Sequence, residues 1–204
     1  EIEDKRVLHE VPFPLINFPL RDSQQPVYDE VNDTCIINAL VGWGKTATAL
    51  HIARKLGQKT LVITHTTALR DQWIEEVEKF YGHSPGIIGS GKYEVEDHFI
   101  VVGNVQTLTK YKDKFAKEFG TIILDEMHHC PATSFSDILD TTYARYRIGL
   151  SGTLNRTDGK HILFKDYFGD KIYKPPQSDT LNPVVKLVNT GIHLTPGVPW
   201  ANKM

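Results

Sequence analysis

Along this chain, short runs of consecutive apolar residues take turns with stretches whose apolar positions recur every three or four residues. The runs are TCIINAL at 34–40, TLVIT at 60–64, FIVVG at 99–103, TIILD at 121–125 and RIGLS at 147–151. Each is rich in β-branched residues and lacks the strict alternation of a half-exposed strand, so each predicts a strand buried on both faces. Between them, Ala49, Ile52, Ala53 and Leu56 line one face of a segment stopped by Gly57. Leu69, Trp73, Val77 and Phe80 line another, beginning near Thr66 or Thr67 and stopping at Gly82. A third helix after Asn104 spaces Leu108, Tyr111, Phe115 and Phe119, with Gly120 closing it. Pro131 opens a short helix carrying Phe135, Ile138 and Leu139, and a last one covers 160–168 ahead of Gly169. Strands alternating with amphipathic helices predict an α/β fold, a parallel sheet with helices on both faces.

The ends of the chain read differently. Pro12, Pro14 and Pro19 make residues 1–19 an extended lead-in, the α/β domain is expected over 20–174, and the proline-rich stretch 175–204 holds one strand-like run at 184–190. The chain starts at Glu1 and stops in PGVPWANKM without a terminator, so it reads as a piece of something longer.

Composition narrows the class. A chain of 204 residues suits one domain burying roughly 70% of its unfolded surface. With 40% hydrophobic and 24% charged residues it is neither disordered nor a coiled coil. No window approaches the 18 apolar residues of a membrane span, and the charged first residues do not resemble a signal peptide. Cys35 and Cys130 lack the spacing of a disulfide framework. A reducing compartment is expected: the cytoplasm of a bacterial or phage-infected cell, or the nucleus of a eukaryote. The net charge of −2 argues against binding nucleic acid by global potential, so any such contact must be local.

The strongest chemical signal is ALVGWGKTATAL at 39–50, where a buried strand hands over through Gly42 and Gly44 to a helix opened by Lys45 and Thr46. Backbone N–H groups of Leu40, Val41, Gly42, Trp43 and Gly44 would curl around a polyphosphate, with Lys45 on its outer oxygens and Thr46 on a Mg²⁺ ion. Eighty residues after Lys45, the run at 121–125 ends in Asp125-Glu126. At a strand's carboxyl end, Asp125 is placed to serve the metal and Glu126 to orient or deprotonate a water. His128, His129 and Cys130 suggest a metal, but a zinc site needs three or four ligands and Cys35 belongs to another strand, so no structural zinc is expected.

The order of these pieces resembles the superfamily 2 DExH helicases and translocases, specifically their first, RecA-like motor domain. The loop matches the family's Ala-x-x-Gly-x-Gly-Lys-Thr at Ala39, Gly42, Gly44, Lys45 and Thr46, with Trp43 where small residues are common. DEMH at 125–128 resembles the Asp-Glu-x-His box, and SGTL at 151–154 resembles motif III with Gly152 in place of Ala. NRTDGK at 155–160 is similar to the stretch that follows motif III in the XPB and UvsW group.

The resemblance implies ATP as the nucleotide, a catalytic His128 coupling nucleotide and nucleic-acid sites, and coupling roles for Ser151, Thr153, Arg156 and Asp158. Through LRDSQ at 20–24 it implies that Gln24 reads adenine with its two-sided amide. THTTALRDQW at 64–73 and GNVQTL at 103–108 look like nucleic-acid motifs, giving Thr66, Arg70 and Thr107 as phosphate contacts; for Arg70 a solvated helix face is the other reading. Lys110, Lys112, Lys114 and Lys117 read as a plain solvated surface.

The implied partners are DNA, with RNA open, and a second RecA-like domain. No Gln-x-x-Gly-Arg-x-x-Arg element occurs here, so this piece should bind nucleotide and turn it over poorly. A restriction-system motor subunit, an RNA helicase and a nucleotide-dependent binding module without turnover all share these residues.

Overall fold

The computed structural model describes residues 4–127, 132–152 and 161–176. Eight strands form one sheet: β1 Cys35–Asn38, β2 Thr60–Thr64, β3 Gly86–Gly89, β4 Lys92–Tyr93, β5 Ile100–Asn104, β6 Thr121–Leu124, β7 Tyr146–Ser151 and β8 Ile172–Tyr173. Their order is β4-β3-β5-β2-β6-β7-β1-β8, and every neighbouring pair is parallel except β3 with β4. The helices are α1 Gln25–Glu30, α2 Lys45–Leu56, α3 Thr67–Tyr81, α4 Val105–Phe115, α5 Ala132–Thr141 and α6 His161–Phe168.

The predicted burial on both faces is visible residue by residue. Cys35, Ile37, Val62, Val102, Ile123, Ile148 and Leu150 point into a core closed by α1, α2 and α3, where Ala49, Leu50, Ile52, Trp73 and Val77 meet them. The intervening residues Ile36, Leu61, Ile63, Val101, Ile122 and Leu124 face a second core with α4, α5 and α6, built around Phe115, Phe135, Phe164 and Phe168. The two-residue period of a strand sends successive side chains to opposite faces. Continuous apolar runs are therefore what a sheet covered twice requires.

All five predicted strands are present, and three more flank them. α4 stops at Phe115 rather than running on to Phe119, because the Glu118 N–H bonds the Phe115 carbonyl in a tight turn at 3.0 Å. Phe119 is nevertheless buried, its ring 5.9 Å from that of Phe115, so the apolar spacing is met by a turn instead of a further helical turn. The strand-like run at 184–190 lies outside the described residues. The stretch from 4 to 19 starts at the sheet's amino-terminal edge, where Val7 bridges Ala144 and Glu10 bridges Gln58, and then runs along α2 past Arg54 and His51 towards the opposite edge. Phe13 packs its ring 5.1 Å from that of Phe99.

Two measurements probe this frame. Ile123 is fully buried in β6, between β2 and β7, and Ile123→Ala should cost about 2–5 kcal/mol, read as a lower urea midpoint at unchanged slope. Asp33 accepts both Arg145 nitrogens, at 2.6 and 3.1 Å, and that guanidinium holds its carboxyl below the ordinary range. A carboxyl depressed in the folded state stabilises above its unfolded pKa, and the contribution is lost as pH falls through the folded value. Asp33→Asn should therefore flatten the acid side of the stability profile and leave neutral pH less stable than the native chain.

Candidate active site

The site forms where β6, β7 and β1 end side by side. β1 runs on through an Ala39 N–H bond to the Ser151 carbonyl at 3.0 Å, then the chain turns through Gly42 and Gly44 at φ of 87° and 98°. Those left-handed angles cost a residue with a Cβ roughly 1–2 kcal/mol, which is why glycine stands at both. Gly44 caps α2, so the helix's unpaired N–H groups and positive end face the loop.

Lys45 opens α2 and is buried. Its Nζ lies 3.0 Å from the Ala39 carbonyl and 3.4 Å from Glu126 Oε1. Asp125 continues the ladder of β6, its N–H bonding the Ile63 carbonyl at 3.0 Å. The Asp125 Oδ1 accepts the Glu126 N–H at 2.9 Å, and Oδ2 accepts the indole Nε1–H of Trp73 at 2.7 Å. Burial raises the pKa of this carboxyl, and the Trp73 bond works against that shift by favouring the charged form. Glu126 sits at φ 45°, a left-handed angle unusual for a side chain with a Cβ, which turns its carboxylate back towards Lys45.

Lys45, Thr46, Asp125 and Glu126 thus line a single cleft of about 580 Å³ together with Arg21, Gln24, Val41, Gly42 and Gly44. Its other end is walled by Phe18, Lys79 and Phe80, with the Phe18 and Phe80 rings 5.0 Å apart. Leu40 stands at the start of the loop and, with Trp43, Asn38 and Gly152, lines a smaller adjoining cavity of about 70 Å³. Ser151 is fully buried at the end of β7. A methyl group on Gly152 would stand 3.8 Å from Lys45 Nζ and 3.9 Å from Glu126 Oε2, in ordinary contact with the site.

Gln24 and Arg70 have partners other than those the sequence reading assigns. Gln24 is buried, its Oε1 taking the Arg21 N–H at 2.9 Å and its Nε2 donating to the carbonyls of Trp43 and Gly44 at 3.1 and 3.2 Å. Its amide clamps the loop rather than presenting both of its sides to a base. Trp43 lends the loop only its backbone, since its side chain is buried in the core that α1, α2 and α3 close. Arg70 is neither solvated nor open: its guanidinium bonds Asp71 Oδ1 at 2.9 and 2.7 Å and Ser90 Oγ at 3.1 Å.

The ends of β3, β5 and β2 continue the same edge of the sheet. Thr66 caps α3 by accepting the Leu69 N–H, and the Thr107 N–H is held by Asn104 at the start of α4. Gln106 Nε2 reaches the His65 carbonyl at 3.3 Å and ties these two turns together. His128, Thr153, Arg156 and Asp158 lie outside the described residues. Among the lysines of α4 and its turn, Lys112 pairs with Asp137, Lys114 lies over Tyr93 and Tyr111, and Lys117 over Tyr143.

Several contributors were missed from sequence, Arg21 and Ser90 among them. Arg21 donates to the Trp43 carbonyl at 2.5 Å and lines the cleft; it stands within the LRDSQ stretch already singled out. Ser90 sits at φ 52° between Gly89 and Gly91, and that Gly-Ser-Gly turn was a readable sign of an unusual backbone. Among the described residues no three His, Cys, Asp or Glu cluster as metal ligands, and no helix is long and apolar enough to cross a membrane.

Residues 17–156 match the family model described as type III restriction enzyme, res subunit. The chain is 50% identical over 98% of its length to "Probable helicase D10" of Escherichia phage T5, covering 45% of that protein. It is 33% identical to "DNA 3'-5' translocase XPB2" of Sulfurisphaera tokodaii, over 85% of this chain and 40% of the relative. The chain therefore spans less than half the length of these relatives. The solved UvsW helicase of bacteriophage T4 superposes with a TM-score of 0.68 at 27% identity, over 81% of this chain and 64% of that one. The resemblance to superfamily 2 helicases of the XPB and UvsW group, and the RecA-like sheet it implied, are borne out by these matches.

The Gly152 geometry is testable. Its backbone is outside the left-handed region and the methyl would make ordinary contacts, so Gly152→Ala should stabilise by about 0.4–1 kcal/mol in thermal unfolding. A drop of several degrees in Tm would show that β7 ends closer to Lys45 than described.

Proposed function

Since this chain belongs to the family described as type III restriction enzyme, res subunit, we propose that it is the ATP-binding first motor domain of a DNA helicase or translocase. One observation carries the reading: the Lys45 ammonium lies 3.4 Å from Glu126 in a cleft that Thr46 and Asp125 also line. The cleft suits a metal-bound triphosphate. The two left-handed glycines and the start of α2 direct N–H groups and a helix dipole at one spot. Thr46 and Asp125 bring oxygen donors, the ligands Mg²⁺ prefers. Each Asp125 oxygen accepts one of these hydrogen bonds, from Trp73 or from the Glu126 N–H, and keeps a further lone pair for the metal's water shell.

In this reading Lys45 balances charge on the β and γ oxygens, Thr46 and Asp125 hold the metal, and Glu126 orients the attacking water and accepts its proton. Mg²⁺, when bound, supplies neutralisation of the phosphate oxygens. Arg21 and Gln24 keep the loop in its curled form, and Phe18 and Phe80 offer an apolar wall to a base. His128, Ser151, Thr153, Arg156 and Asp158 serve coupling. Thr66, Thr107 and Arg70, the last released from Ser90, meet phosphates along the neighbouring rim.

DNA is the preferred track because one relative is named as a DNA translocase. The motor body is assigned to 20–174, with the rest of the engine, a second RecA-like domain, in the part of such proteins that this chain does not span. A phage relative supports work in the cytoplasm of an infected bacterium. Duplex remodelling in repair or recombination is the task this group suggests. The restriction-motor alternative shares the family description, but the similar proteins above are a helicase and a translocase.

The test is a titration of this chain with a fluorescent ATP analogue and Mg²⁺, paired with single-turnover hydrolysis. Lys45→Ala should weaken binding by more than tenfold. Glu126→Gln should bind normally while hydrolysis slows by about 10²–10³. Native turnover in Lys45→Ala, or lost binding in Glu126→Gln, overturns the assignment. Stimulation of the longer protein's ATPase by RNA but not by DNA would change the track.

A further inference from the structure

Asp125 is held by a residue 52 positions away in sequence. Trp73 lies in the middle of α3, almost wholly buried, with its indole Nε1–H 2.7 Å from Asp125 Oδ2. The second bond to this carboxylate, from the Glu126 N–H to Oδ1 at 2.9 Å, comes from the adjoining residue and turns with the loop. The last torsion of an aspartate is broad and roughly two-fold, so a local bond alone leaves the carboxylate plane loosely set. The Trp73 bond comes from a separate element and fixes that plane against the body of the domain. The indole also fills core space that a phenyl ring would leave partly empty, so packing and the N–H have to be separated by experiment.

The position of Trp73 on its helix adds a second consequence. Arg70 lies one turn earlier on α3, close to the same face, and Thr66 caps that helix. The indole that grips Asp125 therefore belongs to the same helix as the proposed phosphate contacts on the rim. We infer that Trp73 is the positioning residue for the metal-binding carboxylate. This rests on Asp125 being a metal ligand, as proposed above.

The experiment measures the affinity of this chain for a methylanthraniloyl-labelled, non-hydrolysable ATP analogue, once with Mg²⁺ and once with EDTA. The compared proteins are native, Trp73→Phe, and a form carrying 3-benzothienylalanine at position 73, which keeps the fused ring and lacks only the N–H. Groups that orient a metal ligand commonly contribute about 10- to 100-fold to metal affinity. The gain in affinity on adding Mg²⁺ should therefore shrink by about tenfold in both altered proteins, while metal-free affinity stays within about twofold in the benzothienyl form.

An undiminished Mg²⁺ gain overturns the inference and leaves the proposed function standing. So does a parallel loss with and without metal in the benzothienyl form, which would assign Trp73 to packing. Absence of nucleotide binding by the native chain overturns the proposed function and takes this inference with it.

Discussion

The attraction between Lys45 and Glu126 across the end of β7 is the contact on which the rest of the site depends, and strand order creates it. β6 and β1 are separated by one strand, which at about 4.8 Å per interstrand step sets their ends roughly 10 Å apart. That gap is what a lysine and a glutamate reaching from opposite sides can close. It also leaves phosphate-sized room between the loop and the carboxylates. A parallel sheet brings all these carboxyl ends to one edge, so Lys45 and Glu126, far apart in the chain, meet without any contact between their own strands.

Register matters as much as order. A slip of one residue in β6 would send Asp125 to the opposite face of the sheet, because side chains alternate. The pairing of Thr60 to Ile63 with Thr121 to Leu124, extended by the Asp125 N–H bond to Ile63, rules that out. The apolar residues that fill the two cores are therefore also what aims the acids. The functional edge carries strain of its own: Glu126 takes a left-handed angle where the burial of β6 on both sides over-determines its place.

Much of this was legible in the chain itself. The five central strands announce themselves as unbroken apolar runs because both faces are covered, and helix stops at Gly57 and Gly82 follow from the left-handed angle at each helix end. β4 and β8 were not legible, being two residues each and exposed or half-buried, so they carry almost no hydrophobic signal. β3 is four residues bounded by glycines, and α1 is a six-residue helix opened by Pro26; neither is long enough to show a period. The loop and the acids could be found by type and spacing. Their partners could not: Gln24 on the loop carbonyls, Ser90 on Arg70 and Trp73 on Asp125 are contacts between separate elements. Nothing in local sequence encodes such distances, since they depend on which strands become neighbours.

Trp43, the unusual residue of the loop, then finds a physical account. Its indole is sunk in the core that α1, α2 and α3 close, while its carbonyl is held by Arg21 and Gln24. A large anchored side chain removes freedom from a segment that two glycines would otherwise leave slack, and a loop already curled loses less entropy when it closes on a ligand. The glycines on either side supply the left-handed angles that let the tryptophan face inward while the backbone keeps its N–H groups turned to the cleft. A small residue at position 43 would leave that rigidity to the Arg21 and Gln24 clamp alone. In this chain, bulk below and hydrogen bonds above therefore share the work of holding the phosphate loop in shape.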